Sequence, residues 1–140
     1  MPRILLAPLI VYAACGLVLS LGLHLRSFNA TRFAGDDTVS LSAHLALFPL
    51  FLAAVLIWTK LSGTRTITQP NACAIVLPDC PVWLRIIVKA LYIYVPVDFA
   101  ITLARSFTGA PAQGLPPIWG IWMFLYAYAL AIFLVAWRRP

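Results

Sequence analysis

Asp98 is the residue whose chemistry most needs an explanation. It stands inside VWLRIIVKALYIYVPVDFAITLAR, Val82 to Arg105, a stretch long and apolar enough to cross a bilayer. A carboxylate at membrane depth is costly, so it must be protonated, hydrogen-bonded or paired. At 100° per residue, Tyr94, Asp98, Thr102 and Arg105 share one helix face, while Arg85, Lys89, Tyr92 and Pro96 share a roughly opposite one. Asp98 and Lys89 therefore do not pair, being about 13 Å apart along the axis and pointing different ways. Arg85 and Lys89 lie near one end of the stretch, where their stems can rest in lipid and their heads reach phosphate level. For Asp98 the local partners are Tyr94 and Thr102, with Arg105 able to lean back over two turns.

His24 and His44 are the other titratable candidates. They stand at the end of one apolar run and the start of the next, in the half of the membrane that holds Asp98. One aspartate and one or two histidines at a common depth can exchange protons or hold a ligand. The same set can equally be a polar knot that fixes helix register. Two histidines facing each other also suggest a b-type haem, yet these sit at helix ends beside a loop, so no cofactor is expected. Cys73 and Cys80 lack the C-x-x-C spacing of a zinc or redox site. No metal centre and no catalytic residue are expected.

The elements that must position these residues are written in the composition. The chain is 63% hydrophobic and 10% charged, where a soluble domain has about 25% charged residues. Glutamate is absent. The basic residues behind the net charge of +6 fall one or two at a time beside apolar runs, as topology signals do, so the expected partner is the lipid bilayer and not nucleic acid. Four apolar stretches, about 4–25, 41–59, 82–105 and 117–137, predict one all-α domain over 1–140, a polytopic membrane protein built as a four-transmembrane-helix bundle. The first is too long for a signal peptide, since it runs past Cys15 to Leu25. Four spans bring both termini to the same side. Arg3, Lys60, Arg65, Arg138 and Arg139 flank that side against Arg26, Arg32 and Arg105 on the other, which predicts cytoplasmic termini in a bacterial inner membrane.

Gly16 and Ser20 form a small-xxx-small face for close helix approach. The first and third helices are accordingly expected inside the bundle, and the bulkier second and fourth toward lipid. Asp79 and Pro81 are expected to open the third helix as cap and first-turn proline.

SAHLALFPLFLAAVL in the second stretch, CPVWLR entering the third and WGIWMFLYAYA in the fourth resemble a group of uncharacterised bacterial four-helix inner-membrane proteins. In that group a histidine directly precedes the Trp-Met pair, where this chain has Ile121. The resemblance implies the same four-span topology and no activity. With short connections and little room for an enclosed site, a non-enzymatic structural or partner subunit is expected, packed against itself as a homo-oligomer or against another membrane protein. The alternatives are a small proton- or ion-coupled transporter or channel working through Asp98, and a haem-binding protein using His24 and His44.

Overall fold

A helix satisfies its own backbone, so it can continue beyond the apolar run that anchors it. The computed structural model describes residues 3–29, 37–62, 76–107 and 118–139. The chain is all-helical there, with four helices: α1 Arg3–Asn29, α2 Asp37–Ser62, α3 Val82–Phe107 and α4 Ile118–Arg138. Polar turns lengthen two of them, Arg26 to Asn29 continuing α1 and Asp37 to Ser40 opening α2. Pro49 and Pro96 lie within α2 and α3, and the helices run on past both.

Two segments among the described residues are long and apolar enough to cross a membrane, Ile4–Leu25 and Gly120–Arg138. α2 holds a shorter apolar segment, Leu45–Leu61. α3 is 26 residues long but carries Arg85, Lys89 and Asp98 along its apolar length.

The core gathers on α4, and this overturns the expected arrangement. Met123, Tyr126, Ala127, Ala129 to Phe133 and Val135 are all buried, a run that covers every side of the helix. α1, α2 and α3 all pack on it. Bulky content suggested a lipid-facing helix, but three small residues, Ala127, Ala129 and Ala131, are set among the large ones. They let neighbouring backbones approach from several directions while Tyr126 and Phe133 fill the gaps between them.

The surrounding helices each offer one stripe. On α1 it is Leu6, Ala13, Ser20 and His24, on α2 Leu47, Leu50, Ala54 and Ile57, at helical spacing. The small face of α1 does meet another helix closely, since a methyl group on Gly16 would land inside the Tyr126 ring of α4. α3, expected in the interior, buries little beyond Leu84 and Val88 and leaves Ile93, Val97, Phe99 and Phe107 exposed.

Cross-helix contacts give the directions. Asp79 bonds Arg139, Tyr92 lies beside Phe124, and Asp98 faces Gly120, so α3 and α4 form an antiparallel hairpin. α1 is antiparallel to α4 as well, with Gly16 level with Tyr126 and His24 reaching the Tyr94–Gly120 layer.

At the entry to α3 the chain makes one 3-10 turn, Leu77–Asp79, whose neighbours Val76 and Cys80 are buried. Asp79 does not cap α3 as expected. Its carboxylate takes a 2.6 Å hydrogen bond from Arg139 of α4. The Arg85 guanidinium turns back to donate to the carbonyls of Pro78 at 2.7 Å and Cys80 at 3.3 Å, carbonyls that the short turn leaves in need of donors.

Candidate functional site

The stripe of α3 that faces α4 changes character along its length. Leu84 and Val88 are buried and Leu91 half-buried, and one turn later the same side presents Tyr94, Val95 and Asp98. Polar groups on an inward stripe must find partners inside the protein, and here the partner comes from α1.

His24 lies four residues beyond buried Ser20 and is only 6% exposed. Its Nε2 is 2.6 Å from the Tyr94 hydroxyl oxygen. The two rings meet edge to face, with centroids 5.5 Å apart and planes at 85°. Asp98 follows one turn after Tyr94 on the same side of α3, close enough to act electrostatically on both Tyr94 and His24. Its Oδ2 is buried and has no hydrogen-bond partner among the described residues.

α4 closes the cluster with Gly120. A methyl at that position would stand 3.3 Å from Asp98 Oδ2 and 3.6 Å from the Tyr94 ring, so glycine lets the carboxylate lie against bare backbone. Three helices thus enclose a carboxylate, a phenol and an imidazole in one row. Such a cluster can lock the register of α1 against α3, and its histidine and carboxylate are of the types that take up a proton.

Of the five residues expected to form a site, the structure brings together His24, Tyr94 and Asp98. The side chains of His44 and Arg105, like that of Thr102, lie outside the described residues. A haem-ligating role for His24 would compete with its Nε2 contact to Tyr94. Among the described residues no group of three or more His, Cys, Asp or Glu gathers as a metal site. Sequence reasoning missed Gly120. Its signal was a lone glycine between Trp119 and Ile121 in an otherwise bulky helix, which marks close backbone approach.

A second polar group lies at the opposite end of the α3–α4 hairpin, where Asp79, Arg85, Arg139 and buried Cys80 meet. Burial pushes the Cys80 thiol up, with the charges of Arg85 and Arg138 pulling the other way.

Fold and site together define a protein that is all-helical over its described residues, with two helices of bilayer-spanning character and a partly buried His–Tyr–Asp cluster. No protein-family model, no curated protein and no solved structure matches the chain.

Proposed function

We propose that the chain is an integral inner-membrane protein in which all four helices cross the bilayer with both termini cytoplasmic. In this reading it serves as a non-enzymatic subunit, packed against another membrane protein or a second copy of itself. The observation that carries the reading is the chemistry of the outer surface. Ile4, Val18, Phe48, Ile93 and Phe107 are 69 to 83% exposed, and more large apolar side chains surround them. In water such a surface would far exceed the few hundred Å² of a soluble monomer's largest apolar patch. In lipid it is matched to its solvent.

The charges of α3 support a fourth span. Arg85 is held by carbonyls at one end and Asp98 is turned into the cluster, so among the described charged side chains of α3 only Lys89 remains outward, near enough to the interface to snorkel. The antiparallel course of α1 and α4 supports a shared side for the termini, and the excess of Lys and Arg at that end argues for the cytoplasm. The exposed half of α3 supports a partner.

Cysteine scanning tests this. Asn29→Cys should react with a membrane-impermeant maleimide from outside the cell, and Thr64→Cys only after permeabilisation, with the protein resisting alkaline extraction. Labelling of position 64 from outside would overturn the orientation, and release by alkali would overturn the membrane assignment. Cross-linking in native membranes should give a discrete species heavier than the 15.4 kDa chain. A monomer alone would end the subunit reading.

A second reading, a small proton- or ion-coupled transporter or channel, is favoured by one observation, the buried Oδ2 of Asp98. Flux into proteoliposomes should then be abolished by Asp98→Asn and partly kept by Asp98→Glu.

A further inference from the structure

We infer that the charged end of the α3–α4 hairpin binds the phosphate of an anionic phospholipid, held by Arg138 and Arg139 against a wall that Arg85 completes. The inference rests on the membrane reading above. Three successive residues, Pro78, Asp79 and Cys80, pin two guanidiniums from different helices. The Asp79 carboxylate accepts from Arg139 Nη2 at 2.6 Å, and the carbonyls of Pro78 and Cys80 accept from Arg85 Nη2 at 2.7 and 3.3 Å. A guanidinium carries several N–H donors in a rigid planar fork, so one held nitrogen fixes the group and leaves other donors for a ligand. Arg139 is fixed in this way while 40% of its side chain stays exposed, and its backbone amide still bonds the Val135 carbonyl of α4 at 3.1 Å. Arg138, beside it in the chain, is exposed, and both it and Arg85 act electrostatically on Cys80.

Charge decides which headgroup fits. Among the described acidic residues Asp79 alone stands at this end, since Asp98 lies against Gly120 at the other end of the hairpin and Asp37 opens α2. The Asp79 carboxylate is already engaged by Arg139, so it is poorly placed to receive the ammonium of a zwitterionic headgroup, while three guanidiniums favour a net negative one. Basic groups gathered between helices at the cytoplasmic face select anionic headgroups in this way. Depth decides between a lipid and dissolved phosphate, which share the same phosphate chemistry. The apolar segment Gly120–Arg138 ends where the arginine pair begins, which sets the pair at headgroup level. Trp137, just before it, is 36% exposed, as an interfacial tryptophan is. The first turns of α3 expose Val82, Trp83 and Ile86, an apolar surface on which acyl chains can lie once the phosphate is held. A lipid uses both surfaces, and free phosphate uses only the first.

The purified full chain in a neutral detergent is titrated with phosphatidylglycerol or phosphatidylcholine, and bound lipid is counted by native mass spectrometry. Phosphatidylglycerol should bind at least about tenfold more tightly, and Arg138→Gln and Arg139→Gln should each weaken it about fivefold, the usual worth of one basic residue at an anionic surface. Lys60→Gln removes the same charge from the same end of the bundle outside this group, and should change binding less than about twofold. Inorganic phosphate at the concentration of the lipid should displace none of it. Equal binding of the two lipids overturns the site, and that comparison needs no variant to fold. Equal losses in Lys60→Gln and the arginine variants overturn it too, because general charge would then be enough, and displacement by inorganic phosphate overturns the lipid as ligand. A protein that resists alkaline extraction yet shows no lipid preference loses this site alone, whereas release by alkali removes the membrane reading itself.

Discussion

Gly16 and Gly22 lie six residues apart on α1 and meet opposite surroundings. A methyl on Gly16 would enter the Tyr126 ring, whereas one on Gly22 would find nothing within 4 Å. Tyr126 is itself buried and has little room to move aside. Gly16→Ala should therefore destabilise the bundle by about 1–3 kcal/mol, the usual range for an overpacked contact. Gly22→Ala should stabilise it by up to about 1 kcal/mol, because alanine replaces glycine inside a helix with no clash to offset the gain. Thermal unfolding in detergent compares the two, and equal effects would refute the close α1–α4 approach. The Gly16/Ser20 spacing was legible beforehand as a face for close contact. The identity of the residue filling it was not, because spacing along one helix carries no information about the helix across from it.

At the scale of the element, α4 is what the other helices are built on. Phe133 is fully buried while Ile93 of α3 is 69% exposed. Phe133→Ala should cost about 3 kcal/mol through the cavity it leaves, and Ile93→Ala should change stability by no more than about 0.5 kcal/mol. Reversible unfolding in mixed micelles measures both, and a tolerant Phe133 would return α4 to the periphery. The expectation that α4 faced lipid came from its bulk and apolar content. In lipid those properties do not distinguish inside from outside, since both are apolar, and the deciding feature is the interleaving of Ala127, Ala129 and Ala131 with larger neighbours.

At the scale of the whole molecule, Cys80 reports on the closed bundle. It is buried between the 3-10 turn and the charged end of the α3–α4 hairpin, and burial raises its thiol above the ordinary value. A raised thiol pKa means that the folded state holds its proton more tightly than the unfolded chain. The associated stability is complete below the unfolded value and is lost as pH rises through the folded one. In a Cys15→Ser, Cys73→Ser background, Cys80 should alkylate slowly near neutral pH, faster as pH rises, and at the rate of a free thiol once the bundle unfolds. Rapid labelling at neutral pH in the folded protein would show that this end is open.

What the sequence determined by itself was the number, type and approximate extent of the helices, because apolar length and the 3.6-residue period are properties of a segment alone. It also marked Asp98, Tyr94 and His24, because ionisable or polar groups in apolar runs are conspicuous wherever they point. Only the tertiary structure decided that these three meet. His24 and Tyr94 are 70 residues apart, and whether they touch depends on the relative rotation and depth of α1 and α3. Those are set by how both helices dock on α4, through Gly16 against Tyr126 and Gly120 against Asp98. The same docking gave Asp79 to Arg139. A hydrogen bond between helices is a property of three-dimensional proximity, and no periodicity within one helix encodes it.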